Sequence, residues 1–290
     1  MAQNTRLPPL LHCPYGPALD CGDPFMSQSD AKSWTSPVVP VRYEGSHKIR
    51  FRCYKGISCF NACCKNADVT LTPYDIVRLK NRLGLRSDAF LRDYAVPFEF
   101  EPKGIAGVKL RTLDDSPQCL FMTDEGCSVY EDRPAACRYY PVGLLSLHET
   151  GTSGQKDYYA VVKEEHCKGH EEDNELTIDE YREEQGLDEY DAHSLGWREL
   201  ILKKKSAGPA VGKPSERSLR LFFMTCYNLD DFRGFVLSSG FQQAYVIDDE
   251  LLDQLKNDEV ALLEFGYRFL KQVLFGEMSI AMRDREGAAE

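Results

Sequence analysis

Arg52-Cys53-Tyr54-Lys55-Gly56-Ile57-Ser58-Cys59-Phe60-Asn61-Ala62-Cys63-Cys64-Lys65 places four thiols within twelve residues, two of them adjacent. Gly56 and Asn61 supply the backbone freedom that a chain needs to turn several side chains toward one point. The spacing is that of a chelating loop. Working outward, Cys119, Cys127, Cys137 and Cys167 follow at widening intervals, so the segment from 53 to 167 holds eight of the eleven cysteines.

Such crowding reads as a disulfide framework or as a metal site, and the compartment decides between them. The N-terminus argues against export. Met1 to Arg6 carries one positive charge, Pro8 and Pro9 interrupt the short apolar stretch behind it, and Leu11-His12-Cys13 lacks the small residue expected before a lipidated cysteine. The expectation is a cytoplasmic protein whose thiols stay reduced and bind metal. At 290 residues the chain can bury a full core without disulfide staples. Its 35 basic and 46 acidic residues, net −11, disfavour nucleic acid or an anionic membrane as the main partner. No apolar run approaches the ~18 to 20 residues of a membrane helix.

The first 46 residues hold seven prolines together with Cys13 and Cys21, and suggest an extended arm laid over the domain. Alternation at Ile49, Phe51 and Cys53 predicts a strand that delivers the first thiol into the loop. Val69 and Leu71 form a second extended piece. Thr72-Pro73-Tyr74-Asp75 opens a helix with Thr at the N-cap, Pro at the first position and an acid at the third, and Gly84 ends it. Ser87 is the expected cap of a further helix to about Tyr94. Phe98 and Phe100 against Val108, Leu110 and Thr112 predict a hairpin; Cys119 to Phe121 is expected to continue its sheet, and Asp124-Glu125-Gly126 to turn the chain into Cys127. A second hairpin joins residues 142–147 and 158–162.

From residue 171 the chain becomes acidic and helical. Thr177 to Glu180 matches a capping box with Gly186 as the stop, and a helix through Tyr190, Leu195, Trp197, Leu200 and Ile201 ends in Lys203-Lys204-Lys205. Residues 206–217 have the glycines and prolines of a linker. Beyond them, residues 219–227 and the stripe from Val260 to Leu274 predict core helices around a buried Cys226. The fold class expected is α+β: a small Cys-rich, metal-centred domain of short strands and helices (47–170), then an acidic helical segment (171–205), a linker and a helical C-terminal region (218–290).

The double cysteine, with Cys119-Leu120-Phe121 and Cys127-Ser128-Val129-Tyr130-Glu131-Asp132-Arg133-Pro134-Ala135-Ala136-Cys137-Arg138-Tyr139-Tyr140-Pro141, resembles the YkgJ-type cysteine-cluster family, described as zinc- or iron-chelating. The resemblance spans about residues 47–170 and implies metal chelation. It extends distantly to flagellin lysine N-methylase, which would make the protein a metal-cluster-dependent enzyme.

Thiolate is the soft ligand for zinc or for iron, alone or in an iron-sulfur cluster, and four thiolates close a tetrahedral site. The candidate ligands are Cys53, Cys59, Cys63, Cys64, Cys119, Cys127, Cys137 and Cys167, enough for two such centres or one larger cluster. Cys63 and Cys64, being adjacent, are expected to point in different directions and to serve different metals unless one bridges. His166 and His170 flank Cys167 and are alternative ligands. Arg133 and Arg138 are candidates for binding an anionic cofactor or the thiolate cluster itself, or for pairing with Glu131 and Asp132.

Other chemistries fail on spacing. Cys59 and Cys63 begin a radical S-adenosylmethionine motif, but Asn66 holds the third place; there is no G-x-G-x-x-G or H-E-x-x-H; and Pro214 stands where a P-loop needs Ser or Thr. Three function classes remain: a metal-chelating protein that carries or hands on its ion, with an unidentified protein partner; a cluster-dependent enzyme such as a protein lysine N-methylase; and a thiol redox sensor.

Overall fold

In the computed structural model, the described residues are 38, 41–100, 104–148, 155–206 and 215–283. Most of the expected arm, with Cys13 and Cys21, lies outside them, as do residues 207–214 of the expected linker. The protein is an α+β chain: among the described residues nine short strands form four small antiparallel sheets, and ten α-helices dominate the second half.

Strand β1 (Lys48–Arg50) pairs with β9 (Glu175–Thr177), with Ile49 opposite Leu176. This two-stranded clasp brackets the whole cysteine-bearing segment. Strand β2 (Thr70–Leu71) pairs with β4 (Ala106–Leu110), which pairs in turn with β3 (Ala95–Glu99). Phe98 faces Gly107, where a Cβ would sit 2.6 Å from the Phe98 ring, so the close approach requires glycine. Strands β5 (Met122–Thr123) and β6 (Gly126–Cys127) make the tight hairpin that delivers Cys127. Strands β7 (Val142–His148) and β8 (Gln155–Val161) make the second hairpin, and the backbone of Tyr43 pairs with that of Tyr159 along its edge.

Helix α1 (Pro73–Leu83) starts as its sequence dictates. The Thr72 hydroxyl accepts from the Asp75 N–H, the Asp75 carboxylate accepts from the Thr72 N–H, and Gly84 closes the helix at φ 66°. Helix α4 (Ile178–Glu184) repeats the device with Thr177 and Glu180. Helix α3 (Ala135–Tyr139) carries Cys137. The remaining helices are α2 (Ser87–Tyr94), α5 (Leu187–Ser206), α6 (Glu216–Tyr227), α7 (Leu229–Val236), α8 (Ser239–Ala244), α9 (Asp249–Asn257) and α10 (Glu259–Phe275).

Two local expectations are corrected. Ser87 is the first residue of α2 and is fully buried; its N–H is taken by the carboxylate of Asp230 at 2.7 Å, so the cap comes from α7, more than 140 residues away. Cys119 to Phe121 do not extend the β2–β4–β3 sheet as a strand; Thr112 and Cys119 meet only in an isolated bridge.

Among the described residues the core has two parts. The larger unites Leu71, Ile76 and Leu79 of the cysteine-bearing half with Tyr190, Leu200, Phe222, Phe232, Leu263 and Phe269 of the C-terminal helices. One apolar interior therefore runs across the boundaries expected at 170 and at the linker. Lys80 is buried in it and pairs with Glu259 at the start of α10, which also accepts from Arg233 at 3.0 Å. The smaller core gathers Ile49, Phe51, Tyr139, Val142, Tyr159, Ile178 and Leu187 beneath the clasp.

Candidate metal centre

The chelating loop takes its shape from two left-handed residues, Gly56 at φ 114° and Asn61 at φ 64°. Asn61 is fixed there by its amide, which donates to the Thr123 carbonyl at 2.9 Å and ties the loop to β5. Gly126, at φ 121°, turns the β5–β6 hairpin against the ring of Phe60. The Cys119 N–H donates to the Cys64 carbonyl at 2.8 Å, so the loop and the second cysteine segment are joined through their backbones.

Cys137 is placed by a residue whose second role has no local signature. Asp75, fully buried, uses one oxygen for its capping box and the other to accept from the Ala135 N–H at 2.8 Å, which docks the start of α3 onto the start of α1. Its burial raises the carboxyl to about 6, against the pull of these N–H groups and of Arg138.

All eight predicted ligands lie in one electrostatic neighbourhood. Cys53 is exposed as a residue, yet its sulfur is partly withdrawn from water. The thiol is pushed up to about 11 by that desolvation, then by Cys63, Cys59 and Cys167, while Arg133 opposes the shift. Cys137 is pushed well up, first by burial and then by Cys119, Asp75, Cys127 and Cys63. Cys63 and Cys64 stand 3.9 Å apart, and the hydrogen bond between them holds Cys63 down to about 7 and pushes Cys64 far up. Burial raises Cys119 and Cys127, opposed at Cys119 by the backbone N–H groups of Phe121 and Met122 and at Cys127 by the N–H of Val129 and by Arg133. The Lys168 N–H donates to the Cys59 sulfur at 3.1 Å. Donors aimed at sulfur favour the thiolate.

The arginines differ from expectation. Arg138 is buried, and each of its three nitrogens donates to a carbonyl: Nε to Arg133 at 3.0 Å, Nη1 to Gln185 at 2.6 Å and Nη2 to Glu131. Its guanidinium also lies over Tyr190, 4.3 Å from the ring centroid. The anion-binding role expected for it is corrected to a brace between α3 and the turn after α4. Arg133 donates to the Tyr130 carbonyl at 2.7 Å and to the Gln185 side chain at 2.6 Å, and lies over the Tyr130 ring. Its charge nonetheless acts on Cys53 and Cys127. Asp132 pairs with Arg78 at 2.7 Å instead of with either arginine.

His170 is turned inward. Its Nε2 lies 3.0 Å from the Val162 carbonyl and its ring packs on Phe51, while desolvation lowers its pKa. His166 lies 3.6 Å from Glu164. Sequence reasoning passed over Glu164, whose charge raises Cys63. The Tyr140 hydroxyl is a second such neighbour of the thiols. That hydroxyl is pushed far up, by burial first and then by Cys167 and Glu164 beside it. Cys226 is buried on α6, raised by desolvation alone.

As the side chains stand, no three His, Cys, Asp or Glu among the described residues converge closely enough to hold an ion. The donor chemistry nevertheless fits a soft cation. Cys53, Cys64, Cys119, Cys127 and Cys137 are each raised in part by neighbouring thiols, and a metal ion relieves that repulsion in a way that solvent cannot at half-buried positions.

Residues 52–168 match the family model described as "CxxCxxCC: Putative zinc- or iron-chelating domain". Over these residues the chain is similar to that family. Metal chelation is thus the property attached to the segment in which the eight thiols lie. The matched segment has longer intervals than the pattern in the family's name, five residues between Cys53 and Cys59 and three between Cys59 and Cys63. Gly56 and Asn61, the two left-handed turns, fall inside those intervals. No curated protein and no solved structure matches the chain. Among the described residues no helix is long and apolar enough to cross a membrane.

The cysteine-bearing segment closes on itself at Gly169. Its carbonyl accepts from the Arg52 N–H at 3.1 Å, and a Cβ there would sit 2.6 Å from the Phe51 ring and 3.0 Å from the Arg52 carbonyl. Gly169→Ala should therefore cost about 1 to 3 kcal/mol and move Cys167 away from Cys53. A urea titration with parallel metal analysis checks this; an unchanged midpoint and metal content would refute it.

Proposed function

We propose that the eight cysteines form a thiolate centre that chelates zinc or iron, the latter also as an iron-sulfur cluster, and that its role is to hold or carry the ion rather than to catalyse. The observation that carries the reading is mutual electrostatic coupling. The loop thiols of Cys53, Cys63 and Cys64 each respond to thiols from later segments or act upon them. When bound, the ion would supply charge compensation and cross-linking of three chain segments. Arg133 would add a nearby positive charge.

Against the enzyme reading stands Arg138, whose nitrogens are all engaged by carbonyls and so offer nothing to a substrate carboxylate. The chelating role requires reduced thiols, so we assign the protein to a reducing compartment such as the cytoplasm. Its acidic balance favours a protein partner over nucleic acid for any transfer of the ion.

The test is metal content after purification without oxygen. The wild type should carry metal, Cys64→Ser and Cys137→Ser should lower it, and Cys226→Ser should leave it unchanged, since serine is a harder and less acidic ligand and Cys226 contributes only packing. Visible absorption distinguishes an iron-sulfur centre from zinc. Absence of metal from the wild type, or equal loss in all three variants, would overturn the proposal.

A further inference from the structure

The eight thiols are not equivalent, and the backbone sorts them. Arg52 donates to the Gly169 carbonyl at 3.1 Å and Lys168 to the Cys59 sulfur at 3.1 Å, so Cys53, Cys59 and Cys167 are brought together by two hydrogen bonds across more than 100 residues. Cys167 packs on the smaller core beneath the clasp. A second set of bonds gathers the others: Cys119 N–H to the Cys64 carbonyl at 2.8 Å, Met122 N–H to the Cys119 carbonyl at 3.1 Å, and Met122 paired with Cys127 in the hairpin. Cys119 belongs to the larger core, and Cys64 and Cys127 pack against it. Cys137 joins this set through the Asp75 anchor of α3 on α1.

Exposure separates the extremes of the two sets. Cys53 and Cys63 are exposed and Cys59 and Cys167 half-buried, whereas Cys119 is buried and Cys64, Cys127 and Cys137 are half-buried. Cys63 goes with the outer set by its exposure alone, so the border falls between neighbours in the chain, Cys63 and Cys64, whose sulfurs are 3.9 Å apart.

We infer that the centre has two parts: Cys53, Cys59, Cys63 and Cys167 hold an exchangeable ion at the surface, and Cys64, Cys119, Cys127 and Cys137 hold a retained ion against the larger core. This rests on the chelating function proposed above. Cys53 and Cys63 are the two exposed cysteines of the eight, so an incoming ligand reaches the outer group there with the least opening of the fold. To reach the inner group it must separate the chelating loop from the β5–β6 hairpin and α3, which are joined to the larger core, and such openings are rarer. The outer ion is then the one available for transfer, and the inner ion holds the framework that presents it.

The test uses the protein as purified without oxygen, followed by native mass spectrometry during exposure to a strong chelator. The expected result is two metal ions per chain leaving in two phases, with rates separated by about tenfold or more. Cys53→Ala should remove the fast phase and leave one slowly released ion, and Cys119→Ala should remove the slow one. Release of all metal in a single phase, as from one polynuclear cluster, would overturn the two-part centre while leaving chelation intact. So would loss of both ions in Cys53→Ala. No metal on the wild type would instead refute the chelating function on which the inference rests.

Discussion

Stripping the metal from the purified protein should cost the cysteine-bearing segment most of its stability, roughly 10 kcal/mol if one site behaves as a structural zinc centre does. The reason lies in what remains. Half-buried thiols that already raise one another would stay behind with no cation, and leaving even one such charge uncompensated costs several kcal/mol. They would reprotonate, but protonated thiols no longer tie the loop at 53–64 to the hairpin and to the turn at 164–170. Hydrogen exchange after verified removal of metal should show lost protection across those three segments. Protection should persist in α6, α7 and α10, whose core is aromatic and aliphatic. Thermal melting that is unchanged in metal-free protein would contradict this.

Arg138→Ala should be the most damaging single substitution away from the thiols. It leaves three carbonyls, of Arg133, Gln185 and Glu131, without their donor in a region where water has little access, and it removes the cation from the face of Tyr190. An unsatisfied buried polar group costs about 1 to 3 kcal/mol, so the total expected is on the order of 3 to 6 kcal/mol. Arg138→Lys should recover little of it, because a single ammonium on a flexible stem cannot serve three divergent acceptors. Urea denaturation of both variants, read beside metal content, gives the answer. Near wild-type stability in Arg138→Ala would show that the carbonyls find other partners and that the brace is dispensable.

What the sequence disclosed follows the range of the interaction involved. The capping boxes at Thr72 and Thr177, the hairpin around Phe98 and Val108, the glycine stop at Gly84 and the left-handed turns at Gly56 and Asn61 are settled by residues within a few positions of each other, and each is legible in a short window. Ser87 was misjudged as a cap because the competing donor-acceptor pair involves Asp230, which no local pattern connects to it. Arg138 is a similar case: a guanidinium beside acidic residues reads as an ion-pairing group, and only the folded chain reveals that its partners are backbone carbonyls, one of them from the turn that follows α4. The expected boundary at residue 170 fails to separate cores because Tyr190 and Leu200 of α5 complete the interior that α1 begins. The metal-binding character was readable because cysteine spacing carries chemistry directly. The packing of Cys167 on the smaller core and of Cys64, Cys119 and Cys127 on the larger was not, since it depends on which backbone segment each loop lies against.

The antiparallel clasp of Lys48–Arg50 with Glu175–Thr177 has a consequence for how the protein is made. A ribosome delivers the first proposed ligand, Cys53, long before the last, and at roughly 5 to 20 residues per second the exposed thiols of the loop wait several seconds for Cys167. The clasp cannot form until Thr177 has also emerged. Cys64, Cys119, Cys127 and Cys137 are all available earlier, so nascent chains can fill the inner set while the outer set still lacks a member. Loading would then proceed from the core outward, and an oxidant or competing metal present during synthesis would find its vulnerable target in the unfinished outer set.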